Sequence, residues 1–191
     1  HEGYSYSTVQ IGEQCWFSEN CRYLPEVSPI SVGSETDPYY YVYGYEGTDV
    51  AAAMSTSNYE TYGVLYNWPA VMTEDICPSG WHIPSDGEWQ TMEISLGMSE
   101  SEAAQTGPRG PPVGQYMKST SGWTTSNGNG SNLSGFTGLP GGRRDSGGFY
   151  VDGNEGYWWS ASESGSYSWA RYLIHSNYNV YRNVDDRYEG H

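Results

Sequence analysis

Four histidines, three cysteines and a scatter of acidic turns are the residues through which this chain could do chemistry. Ser-His-Asp catalysis needs a histidine held by an acid and facing a nucleophile. His1 and His191 are terminal, His82 sits between Trp81 and Ile83-Pro84, and His175 lies beside a turn at Ser176-Asn177. His82 reads as a structural histidine bonded to backbone and His175 as solvent-facing. No catalytic residue is assigned, and an enzyme is not expected. Zinc fares no better, because Cys77 and His82 have no second pair at ligand spacing. Calcium is the more serious metal. Asp152, Asn154 and Glu155 place oxygen ligands close together, and Asp185-Asp186 offers a second cluster. Neither follows the Asp-x-Asp-x-Asp-Gly loop, so both read as solvated acidic turns. No metal site and no cofactor are expected beyond that calcium option. Leu139-Pro140-Gly141-Gly142-Arg143 lacks the Gly-Lys-Ser/Thr ending of a phosphate loop and reads as a turn.

The cysteine count is odd. Cys15 and Cys21 are near enough to close a small loop and are expected to form a disulfide. That leaves Cys77 seeking a partner: it is a free thiol, part of an intermolecular bond, or paired with a cysteine outside this sequence. Disulfide use, low lysine and abundant Tyr, Gly and Ser favour an oxidising, extracellular or cell-surface setting. Asn129-Gly130-Ser131 and Asn132-Leu133-Ser134 are glycosylation sequons in a Gly/Ser/Asn-rich stretch.

Tyr39-Tyr40-Tyr41-Val42-Tyr43 and Tyr157-Trp158-Trp159 invite sugar stacking, although alternating strands would turn half of each run into core. Among 191 residues, 8 Trp and 19 Tyr supply most of the apolar mass, and each ring seeks a partner for its N–H or O–H. The balance of 8 Lys+Arg against 23 Asp+Glu, a net charge of −15, argues against nucleic acid or an anionic membrane as partner. No apolar run approaches the length of a membrane span.

These residues need a scaffold, and its clearest piece is Cys77–Leu96. Ser85 and Glu88 form a capping box, Asp86 and Glu88 favour the positive end of the helix dipole, and Trp89, Met92 and Leu96 make an apolar stripe. Trp81, Ile83, Trp89, Met92 and Leu96 are expected in the core. Residues 4–17 alternate around a turn at Ile11-Gly12-Glu13-Gln14 and predict a hairpin. Tyr39–Tyr45 and 62–68 read as strands, Asp49–Met54 as a capped short helix, and Ser99–Ala104 as a second one with its own capping box. Residues 107–114, rich in Pro and Gly, read as loop, Tyr116–Lys118 as a brief strand, and 120–134 as a surface excursion. Strands at 148–151, 156–161, 168–174 and 180–183 close the chain. The whole predicts one α+β domain over residues 1–191 with an antiparallel sheet.

Five ordered blocks carry a resemblance: Thr8–Asn20 (TVQIGEQCWFSEN), Tyr62–Trp68 (YGVLYNW), Cys77–Asp86 (CPSGWHIPSD), Leu139–Arg143 (LPGGR) and Tyr157–Glu163 (YWWSASE). The chain resembles the Fibrobacter succinogenes major paralogous domain family, a group of secreted or surface-attached modules. The resemblance implies a C-type-lectin-like or formylglycine-generating-enzyme-like fold, with one or two main helices, a small antiparallel sheet and long ordered loops. The formylglycine chemistry is not carried over, since no cysteine follows Cys77. Family members usually continue past a segment like Tyr188–His191 into a last strand whose cysteine would partner Cys77, and that strand is expected to be missing here. A second copy could then fill the open edge. The expectation is a non-enzymatic extracellular structural or adhesive module, self-associating into a homo-oligomer or surface fibre, with a carbohydrate-binding module as the alternative.

Overall fold

Local rules carry directly into the first hairpin. β1 (Thr8–Ile11) and β2 (Gln14–Phe17) pair antiparallel across Gly12-Glu13, and Gly12 takes φ +60°, a left-handed turn conformation. The computed structural model describes residues 1, 3–124 and 128–191. β3 (Tyr40–Tyr41) is much shorter than the expected 39–45 strand. α1 (Val50–Met54) starts on the Asp49 cap, and α2 (Ser57–Tyr62), which the pattern did not predict, starts on Thr56. β4 (Leu65–Tyr66) keeps only the middle of the 62–68 run, because Asn67 caps α3 (Trp68–Val71). The buried Asn67 amide also accepts from Tyr39 N and donates to the Ser34 and Asp37 carbonyls, which stitches the irregular 25–38 loop to this turn.

α4 (Asp86–Ser95) carries the predicted Ser85/Glu88 capping box, and α5 (Glu100–Ala103) the second, at Ser99/Glu102. Beyond it the Pro/Gly stretch departs from a plain loop. β5 (Gly107–Arg109) joins the sheet and α6 (Val113–Met117) follows, taking in Tyr116 and Met117 and leaving Lys118 only an isolated bridge to Gly138. Pro108 is tolerated because β5 is an edge strand. β6 (Arg143–Asp145), β7 (Gly148–Tyr150), β8 (Glu155–Ser164), β9 (Tyr167–Ile174) and β10 (Val180–Asp186) complete the chain.

The main sheet is antiparallel with order β5-β10-β9-β8, and three two-stranded ribbons surround it. The class is therefore α+β, richer in strands than the sequence suggested. Two apolar clusters fill it. One gathers Val42, Val64, Trp68, Ala70 and Trp159; the other gathers Trp16, Trp89, Met92, Phe136 and Leu173. Of the five expected core residues, Trp89 and Met92 are buried, while Trp81, Ile83 and Leu96 are only half-buried. The 120–134 stretch is not all surface: Trp123 is buried and donates its indole N–H to Ser119 Oγ and the Gly138 carbonyl. Its residues 125–127 lie outside the described set.

Between α4 and the sheet sits an ion node with no apolar counterpart. Glu93 accepts from Arg109 at 2.6 and 2.9 Å and from Arg171 at 2.7 Å. Asp86 accepts from Arg171 at 2.8 Å and from Arg182 at 2.9 and 2.7 Å. All five residues are buried. Arg171 and Arg182 are direct cross-strand partners, a repulsive pairing that the two helix acids relieve. Burial alone would raise the Asp86 carboxyl, but hydrogen bonds from Arg182 and the Arg171 charge outweigh it and hold the group at about 2. The node fixes the roll of α4 on the sheet.

A bulge in β8 between Trp159 and Glu163 completes the docking. It frees backbone and hydroxyl groups, so that Ala161 N bonds the Pro84 carbonyl, Asp86 N bonds Ser162 Oγ and Trp68 Nε1 bonds the Ser160 carbonyl. At the chain's end, His191 and Tyr66 exchange both backbone hydrogen bonds, and Gly190 does the same with Arg144. The place between β4 and β6 is thus taken by Gly190-His191. Among the described residues, no helix is long and apolar enough to cross a membrane.

Candidate functional site

The lead-in to α4 and the first hairpin enclose a cavity of about 250 Å³. Pro78, Gly80 and Pro84 keep residues 77–84 out of helix, so Trp81 and Ile83 line the opening instead of entering the core. Opposite lie Phe17 and Asn20-Cys21 at the end of β2, Tyr62 at the end of α2, and Tyr157–Trp159 on β8. The rings are held by one another. Phe17 stacks on Tyr6 at 4.6 Å between centroids and tilts against Trp81 at 4.5 Å, while Trp158 meets Phe136 edge-on at 5.4 Å. Trp159 Nε1 donates to the Tyr66 carbonyl at 2.8 Å and so is fully committed.

Polar groups sit at the rim. His82 is exposed, and its Nε2 lies 2.8 Å from Glu88 Oε1. Burial would raise the Glu88 carboxyl, yet hydrogen bonds from Ser85 and His82 hold it below the usual carboxylate range. Gln14 and Asn20 add amides, and Asn20 Oδ1 accepts from Trp158 Nε1 at 3.4 Å. The expected backbone-bonded His82 is therefore corrected: the ring faces a carboxylate because the Ser85 capping box folds the Glu88 side chain back toward the helix start.

Cys15 and Cys21 are not joined in this structure, against expectation, and all three cysteines are unpaired in it. Extended β2 leaves Cys15 exposed opposite Gln10, whereas Cys21 follows the strand's end and turns inward, its Sγ 3.8 Å from the Ile76 carbonyl. Cys77 is half-buried in the cavity wall. Asn129 and Asn132 are both half-buried. Asn129 Oδ1 accepts from Trp123 N, and Asn132 is bonded through both amide atoms to Thr137.

The acidic turns are distributed differently from expectation. Asp152 accepts from Tyr43, Asn154 donates its amide N–H to the Asp152 carbonyl, and Glu155 accepts from Tyr157, so the two carboxylates serve separate tyrosines. Asp185 and Asp186 lie in β10 and part company. Asp185 instead joins Glu189 and His191, ligand atoms that all lie within 4.8 Å of one another. His191 Nε2 is 3.3 Å from Glu189 and 3.6 Å from Asp185, and its ring stacks on Trp159 at 4.0 Å. This trio could hold a zinc-like divalent ion. Arg143, 3.2 Å from Glu189, also balances the acids. Burial raises the Asp185 carboxyl. Burial would raise Glu189 too, but His191 and Arg143 hold it down. Neither Glu189 nor His191 carried a motif that spacing could have revealed.

The profile of the Fibrobacter succinogenes major domain matches residues 9–189. The chain belongs to that family. The match takes in every wall of the cavity except His191, which lies just past it, and the Asp185–Glu189 pair falls at its end. No curated protein and no solved structure matches the chain.

Proposed function

We propose that this domain is a non-enzymatic binding module of an extracellular or surface-attached protein, and that its aromatic cavity takes a sugar ring. The observation that supports this is the cavity: Phe17, Tyr62 and Trp81 line it, with amide, imidazole and carboxylate groups at the rim. Aromatic faces match the C–H faces of a pyranose, and rim donors and acceptors match its hydroxyls. The C-type-lectin-like fold implied by the family resemblance is in keeping with such a role. Acid–base chemistry is not part of the proposal. Among the described residues, His82 and His191 make their side-chain hydrogen bonds to carboxylates, not to a hydroxyl or thiol nucleophile.

A strand donated beside β4 or β6 would have to displace Gly190-His191, whereas β5 remains an edge of the main sheet. The cavity carries the functional reading instead. The test is a titration of tryptophan fluorescence with mono- and oligosaccharides, with and without calcium. Saturable quenching that Trp81→Ala abolishes is the expected result. Silence across a broad glycan array, in both conditions, rejects the proposal.

A further inference from the structure

We propose that Cys21 and Cys77 form a disulfide that fastens the hairpin's exit to the lead-in of α4. Cys21 Sγ already lies 3.8 Å from the carbonyl of Ile76, the residue bonded to Cys77. Both side chains pack against the same apolar cluster and both line the same cavity. Burial pushes the Cys77 thiol up to about 11, and the neighbouring Cys21 adds to the shift, as expected of two sulfurs that share one pocket. Cys15 is exposed on β2 and stays outside the pair.

The bond forms by thiol–disulfide exchange with an oxidised low-molecular-weight disulfide such as oxidised glutathione. One cysteine thiolate attacks that disulfide, forms a mixed disulfide and releases one thiol. The second cysteine then attacks the protein sulfur of the mixed disulfide and releases the other thiol. Two protein thiols are oxidised, one small disulfide is reduced to two thiols, and the protons pass to the leaving thiolates. The cross-link spans residues 21–77 and ties together two walls of the cavity. It stands independently of what the cavity binds.

The experiment is peptide mapping of the full chain refolded in a glutathione redox buffer, alkylated without reduction. The expected result is a linked Cys21/Cys77 peptide, one alkylated cysteine in the native chain (Cys15) and none in Cys15→Ser. Alkylation of all three cysteines, or a Cys15–Cys21 or Cys15–Cys77 linkage, overturns the proposal. The Cys15→Ser variant alters only an exposed position and neither partner of the bond, so its map decides the matter.

Discussion

The two flanks of α4 make opposite use of polar chemistry. On the sheet side, two acids and three arginines meet in a node where every carboxylate oxygen has a charged partner. On the lead-in side, aromatic rings face open space and the polar groups stand back at the rim. The first is expensive to desolvate and gains little over a well-packed apolar core, but it is unforgiving once assembled. The second leaves apolar surface uncovered, which a folded domain does not need for its own stability. One side fixes the fold, and the other is where the proposed ligand would sit.

The contrast predicts unequal responses to mutation. Glu93→Ala would strand the buried Arg109, leave Arg171 with Asp86 alone, and is expected to cost about 3–5 kcal/mol, seen as a large drop in the urea midpoint. Little change there would mean the node is not what holds α4. Acid is the next probe. The folded Asp86 carboxyl sits at about 2 against an ordinary 3.8, so its ionised form stabilises the fold above about pH 4. That contribution, about 2 kcal/mol, should fade as pH falls through about 2, and Asp86→Asn should flatten the profile. Gly12→Ala forces a side chain into φ +60° with its Cβ against Ser95 Oγ, and a loss of about 1–2 kcal/mol is expected. Smallest in stability, within about 1 kcal/mol, should be Trp81→Ala, because that ring is half-buried at the opening. The same variant should nonetheless lose at least about tenfold in sugar affinity, equivalent to about 1.4 kcal/mol. A large unfolding effect for Trp81→Ala would erase the distinction between the two flanks.

Much of the scaffold could be read from residue order. The Gly12 hairpin and the two capping boxes are local, and local chemistry decided them. The Gly107–Met117 segment could not be read, because Pro108 and Gly107 signal a loop while tertiary pairing with β10 makes a strand. The node was half visible. Asp86 and Glu93 lie seven apart, on the same helix face as Trp89, so two acids were aimed at the core. Their partners come from β5, β9 and β10, whose register no local pattern gives. The cysteine pairing failed for a related reason: six residues of separation suggested a small loop, but an extended strand points Cys15 and Cys21 to different surroundings. Of the two aromatic runs, Tyr157–Trp159 lines the cavity while Tyr40 and Tyr41 are core, and Phe17 and Trp81, which meet at the cavity, lie in separate blocks.

The fate of the cations has a practical side. Of the 8 Lys and Arg residues, Arg109, Lys118, Arg144, Arg171 and Arg182 are buried, and Lys118 is the chain's sole lysine. Trypsin cleaves only after these residue types, so the folded domain hides most of its cut sites inside itself. Digestion of native protein should be confined to Arg22, Arg143 and Arg187, and amine-reactive dyes should find little beyond the α-amino group. A domain so constructed would persist among proteases that dismantle less guarded neighbours.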